Sequence, residues 1–79
     1  MITLKELLTI IAKNLVESPD SVEVLEETRD GATVLKLKVA PEDMGKVIGK
    51  QGRIARAIRT VVKAAAIHED KKVIVEIVQ

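Results

Sequence analysis

The chain has 79 residues, with 13 basic and 12 acidic side chains, a formal net charge of +1, and no Cys, Phe, Tyr or Trp. A chain this short buries only about 60–65% of its unfolded surface, so one domain with a modest core is expected, and dimerisation is a common way to cover what remains. The missing cysteines exclude a disulfide framework and a thiolate metal site. No apolar run approaches the roughly 20 residues of a membrane span, and Lys5, Glu6, Lys13 and Glu17 interrupt the N-terminal apolar residues as no signal peptide would.

Residues 3–17 read as a helix. Thr3 is a good N-cap, and Glu6 three residues later completes a capping box. Leu4, Leu7, Leu8, Ile11, Ala12, Leu15 and Val16 form one apolar stripe, and Ser18-Pro19-Asp20 stops it. Residues 21–28 and 33–39 read as strands, because Val22 and Val24 alternate with Glu23, and Leu35, Leu37 and Val39 alternate with Lys36 and Lys38. The Asp30-Gly31 turn signal between them predicts an antiparallel hairpin with both lysines turned away from the core.

Ala40-Pro41-Glu42-Asp43 opens a short second helix, with Pro41 in its first turn and two acids that suit the helix dipole. Met44, Val47 and Ile48 give it an apolar side, and Gly49, expected in the left-handed αL conformation, ends it. A third helix spans residues 53–67. Its apolar positions Ile54, Ala55, Ala57, Ile58, Val61, Val62, Ala64 and Ala65 fill an arc wide for packing on one sheet face, so part is available to the first helix or to another subunit. Arg53, Arg56, Arg59 and Lys63 lie together on the other side, within about 120°. Glu69-Asp70-Lys71-Lys72 is a polar turn, and residues 73–78 are the last strand.

Between the second and third helices stands Val47-Ile48-Gly49-Lys50-Gln51-Gly52-Arg53-Ile54. The two glycines permit a tight helix–turn–helix connection, and that alone is a sufficient reason for them. The same loop is also built to receive an anion. Gly52 leaves no side chain over the first turn of the third helix, whose backbone N–H groups lack intrahelical partners and carry partial positive charge. A phosphate can approach that bare backbone, with Lys50 and Arg53 beside it. The charge distribution points the same way. Residues 44–67 hold six basic and no acidic side chains, +6 against −5 for the rest, the footprint of a polyanion-binding face. An enzyme is not expected. His68, near a helix C-terminus, has no catalytic partner in the pattern, and Gly49-Lys50-Gln51-Gly52 lacks the Gly-Lys-Ser/Thr ending of a nucleotide-binding loop.

The order α-β-β-α-α-β, with one hairpin and one right-handed crossover, predicts a two-layer α+β domain: a mixed three-stranded sheet with three helices on one face. Val47-Ile48-Gly49-Lys50-Gln51-Gly52 resembles the signature loop of the KH domain, and the element order resembles its type II, prokaryotic arrangement. The likeness covers essentially all of residues 1–79 as a single KH domain. With Gly52-Arg53-Ile54-Ala55-Arg56-Ala57-Ile58-Arg59, it is similar to the small bacterial KhpA (YlqC) family of RNA-binding proteins.

That resemblance implies a non-enzymatic, cytoplasmic protein that binds single-stranded RNA as a chaperone or post-transcriptional regulator, with no cofactor, metal or small-molecule substrate. Its loop would hold the backbone, with about four nucleotides in an adjacent groove. Carried onto this sequence, Gly49 and Gly52 allow close approach, and Lys50 and Gln51 form the variable pair, Lys50 being the phosphate contact. Ile48 and Ile54 would help form an apolar side of the groove, core packing being the favoured alternative for both, and Lys46, Arg53 and Arg56 supplement the phosphate contacts by proximity. Without aromatic residues, aromatic base stacking is excluded. The resemblance also implies a homodimer, or a heterodimer with a Jag-type KH protein (KhpB, also called EloR). This is the basis of an alternative role as an interaction module in cell-envelope and cell-shape regulation, with RNA binding incidental.

Overall fold

A computed structural model describes residues 2–78. The first helix, α1, runs Leu4–Leu15 and starts where the sequence places it. The Thr3 hydroxyl accepts from the Glu6 N–H at 3.0 Å, and Glu6 Oε1 accepts from the Thr3 N–H at 2.9 Å, so two orphan donors of the first turn are satisfied reciprocally. The Thr3 backbone N–H, and then its hydroxyl, hold the Glu6 carboxyl below the ordinary carboxylate range. Leu4, Leu8 and Ala12 are the buried positions of the stripe, and the helix ends at Leu15, two residues before the sequence expectation.

Strands β1 (Glu23–Arg29) and β2 (Ala32–Lys38) form the expected antiparallel hairpin. They run closer to the turn than the sequence pattern indicates. Asp30 and Gly31 alone connect them, with φ of 53° and 80°, as a primed two-residue turn requires. Strand β3 (Val73–Val78) pairs in parallel with β2, giving one mixed sheet in the order β1-β2-β3. The crossover from β2 to β3 carries α2 (Met44–Ile48) and α3 (Arg53–His68). The helices pack on one face of the sheet in two layers, as the sequence predicts. Leu8, Leu35, Leu37, Val47 and Val62 are fully buried between the layers.

One expectation is corrected at the start of α2. Pro41–Asp43 forms a separate 3₁₀ turn rather than the first turn of the helix, and Asp43 is not an exposed dipole-facing acid. Its side chain is fully buried. Oδ1 accepts from the Glu17 N–H at 3.2 Å and Oδ2 from the Ser18 N–H at 3.1 Å. These donors lie just past the end of α1, where no helical carbonyl reaches them. One carboxylate therefore satisfies both and ties the exit of α1 to the entry of α2.

The opposite face of the sheet has no helix over it, yet Val34 on that face is fully buried. Register places Val34 beside Glu27 on β1 and Ile74 on β3. Arg29 bonds Glu27 on its own strand and reaches Glu76 Oε2 on β3 at 3.1 Å. That reach spans two strand spacings, about 10 Å, so the arginine stem lies across β2. Its hydrogen bond, followed by the Lys36 charge, holds the Glu27 carboxyl below its usual range.

Two outcomes follow for stability. Asp43→Ala leaves two part-buried N–H groups unpaired and lowers the unfolding free energy by about 2–3 kcal/mol in urea denaturation, with Asp43→Asn intermediate; an alanine variant as stable as the wild type would remove the tie from the energetics. For Glu6 the folded pKa is depressed, so its contribution is complete above the unfolded value near 4.5 and is lost as pH falls through the lower folded value. The stability difference between wild type and Glu6→Ala is therefore full at neutral pH and shrinks below pH 4.5, as thermal melts across that range will report.

Candidate nucleic-acid interface

The short helix α2 presents a bare loop to solvent. Gly49 closes α2, its N–H donating to the Gly45 carbonyl at 2.9 Å. Its φ is positive, as expected, but ψ is 176°, so it sits in the extended mirror region open to glycine and not in αL. The reason is crowding. A Cβ at Gly49 would collide with the Ile54 side chain and lie 3.0 Å from the Ile54 nitrogen. The chain thus folds back on the first turn of α3 with its backbone against that helix. Gly52 is different: a Cβ there would meet nothing nearer than Arg56 Nη1 at 3.8 Å. Its requirement is the αL backbone, φ 74° and ψ 16°.

Lys50–Gly52 form a single 3₁₀ turn in which Gln51 is also left-handed, φ 56° and ψ 27°. Three positive-φ residues therefore occur within four positions, so the chain reverses tightly between the two helices. At its exit α3 begins with no side-chain cap on Gly52. No side chain accepts from the first turn of this 16-residue helix; the Arg53 N–H donates to the Lys50 carbonyl, and the N–H groups that follow it point toward the loop. This arrangement can take an anionic oxygen by main-chain hydrogen bonds.

The charged residues named from sequence are distributed unevenly around this loop. Lys50, Arg53 and Arg56 are exposed, and none has a carboxylate partner among the described residues. Lys46 leans the other way, its Nζ 3.9 Å from Glu17 Oε2 at the end of α1. Such an exposed pair is worth little and leaves the ammonium mobile. Gln51 is exposed at the tip. Ile48 is partly exposed at the end of α2, whereas Ile54 is half-buried against the core on the side of α3 away from the basic face. Ile54 lines an apolar groove between α1 and α3 with Leu7, Ile11, Leu15, Ala57 and Val61, a volume near 370 Å³. The broad apolar arc of α3 therefore splits in two. Ala55, Ile58, Val62 and Ala66 are buried, while Ile54, Ala57 and Val61 border the groove toward α1.

Arg59 is the residue whose placement periodicity does not convey. Its Nε–H donates to the Val75 carbonyl at 3.2 Å, bridging α3 to the outer strand of the sheet. The partner lies 16 residues away, and nothing in the local pattern marks it. Among the described residues no group of three or more His, Cys, Asp or Glu could hold a metal ion, and no helix is long and apolar enough to cross a membrane.

The family described as "KhpA/KhpB, KH domain" matches residues 5–77. RNA-binding protein KhpA of Clostridium acetobutylicum is 65% identical, with 95% of this chain and all of that protein covered. The protein of the same name from Clostridium perfringens is 67% identical over the same shares, and that of Aquifex aeolicus is 44% identical over the full length of both. No solved structure matches the chain. A match over nearly the whole sequence, with the positive-φ glycine loop between two helices of an α-β-β-α-α-β fold, places this chain in the KhpA/KhpB KH-domain family.

Proposed function

We propose that the chain binds single-stranded RNA, holding its sugar–phosphate backbone at the Gly49–Gly52 loop without catalysing a reaction on it. The observation that carries this reading is the loop itself. Main chain at positive φ runs into an uncapped helix N-terminus, and Lys50, Arg53 and Arg56 stand beside it without carboxylate partners among the described residues. The names of the relatives support RNA as the polyanion. Lys50 and Gln51 contact phosphate from the tip, Lys46 swings from Glu17 to join them, and the exposed Ile48 contributes apolar surface, whereas Ile54, turned toward α1, does not. One domain of this kind engages about four nucleotides. The protein then acts in the cytoplasm as an RNA chaperone or post-transcriptional regulator.

Apolar surface favours a second reading alongside the first. The groove between α1 and α3 leaves Val61 48% exposed, and small domains commonly cover such surface by association. A second copy, or a Jag-type KhpB partner, would pack its own α3 there and place two loops on one assembly. Two linked loops raise avidity through effective concentration.

Labelled single-stranded RNA and matched DNA, titrated at several salt concentrations, test the first reading. Three phosphate contacts give a slope of log affinity against log salt near −2. Lys50→Asp/Gln51→Asp, both exposed, keeps its circular dichroism spectrum and loses at least about tenfold in affinity at low salt. A folded variant that binds as tightly as wild type would reduce the loop to a helix connection. Sedimentation tests the second reading: the wild type is a dimer, and Val61→Glu is a folded monomer that still binds RNA through one loop. A monomeric wild type that also fails to associate with a Jag-type partner would dismiss it.

A further inference from the structure

Ile54 touches two features that the fold otherwise keeps apart. On one side it fills the space beside Gly49. A Cβ at Gly49 would lie 2.9 Å from the Ile54 Cβ and closer still to its Cγ1, so the isoleucine stands where Gly49 has no side chain. On the other side Ile54 lines the apolar groove between α1 and α3, with Leu7, Ile11 and Val61. The residue is only partly buried, and the groove leaves its side chain room to turn. The rim of that groove fits a second copy of the chain. Ala57, Val61 and Ala64 follow one another at i, i+4 and i+7 along α3, and all three are exposed. This stripe carries none of Arg53, Arg56, Arg59 and Lys63, so two copies can meet along it without opposing those charges. An alanine on either side of Val61 makes the stripe self-complementary, as a two-fold contact requires.

We infer that Ile54 couples association of two copies to strand binding at the loop. With the groove open, its side chain exchanges between the position against Gly49, seen in the structure, and one turned into the groove. Only the first supports the chain reversal that shapes the loop. A second copy seated on the groove removes the alternative and raises the fraction of binding-competent loops. Ile54 is thus a positioning residue, which meets the partner on one side and acts on the strand through Gly49. The inference rests on both readings above, the loop as the strand site and the groove as the association site, and adds that the two are thermodynamically linked.

The test uses a labelled RNA of about four nucleotides, enough for one loop and too short to link two, so avidity plays no part. Its affinity is measured for the wild type above and below the concentration at which sedimentation shows the dimer to dissociate. The dimer binds the strand at least about fivefold more tightly per loop, which corresponds to a competent fraction of about one fifth in the monomer. By reciprocity, saturating strand tightens the dimer by the square of that factor, one power for each loop. The factor is the same at low and moderate salt, because it arises from packing. A factor that disappears as salt rises would assign the effect to the charge of the second copy and overturn the inference. Ile54→Val, which retains the Cβ and both Cγ atoms, keeps the factor, and Ile54→Ala, shown by circular dichroism to fold, reduces it to about twofold or less. A factor that survives in folded Ile54→Ala runs by another route, such as the tie from α1 to Asp43, and overturns the role of Ile54. Should the alanine variant not fold, three-bond couplings decide: Ile54 averages over two χ1 rotamers in the Val61→Glu monomer and holds one in the wild-type dimer, and a single rotamer in both overturns the inference. If the wild type binds no strand at low salt the loop reading falls, and if it stays monomeric the association reading falls, in either case with this one. If it binds and dimerises but its affinity for the strand is equal in both states, only the coupling falls.

Discussion

The contact between the Gly49 backbone and the first turn of α3 determines where the loop stands. Because no Cβ intervenes, the chain leaving α2 can press against Ile54 and reverse within three residues. Any side chain at that position would push the two helices apart and tilt the loop away from the N-terminus of α3. The loop's main chain and the first turn of α3 would then no longer address the same point. Gly52 and Gln51 adapt to this geometry and do not create it, since neither is held by close packing.

The position of α2 depends in turn on Asp43. Burying a carboxylate is unfavourable unless its oxygens are hydrogen-bonded, and here both accept from the main-chain N–H groups of the two residues that follow the C-cap of α1. A five-residue helix has little stability of its own. It is held by Val47 in the core and by this tie. The end of the molecule that carries the glycine loop is therefore braced by α1, an element that makes no contribution to the loop itself.

Much of this is legible in the sequence because the signals are local. Thr3 and Glu6 are three residues apart, Asp30 and Gly31 are adjacent, and the glycine loop declares itself in eight residues. What is not legible depends on partners brought together by the fold. Asp43 meets donors 25 and 26 residues away, so by local rules it looks like an ordinary helix-start acid. The ψ of Gly49 depends on the packing angle of α3, and the bond from Arg59 to Val75 on the crossover's closure. Periodicity finds the apolar side of α3, but it does not say where the sheet stops covering Ile54 and Val61 and α1 takes over. The straps on the open sheet face are likewise invisible, since Arg29 and Glu76 are far apart in the chain.

The parallel pairing of β2 with β3 has a kinetic meaning. The hairpin can form from neighbouring residues, but the second pairing closes only when the whole segment between Lys38 and Val73 has folded back over the sheet. Loop-closure entropy makes such a non-local step slow relative to a hairpin. The glycine loop lies inside that segment, and the strand to which Arg59 donates follows its far end. A nascent or partly unfolded chain with an intact hairpin therefore has no organised glycine loop. The geometry of the loop arises with the last topological step, so under the proposed reading a ligand held there would stabilise the closed crossover as a whole.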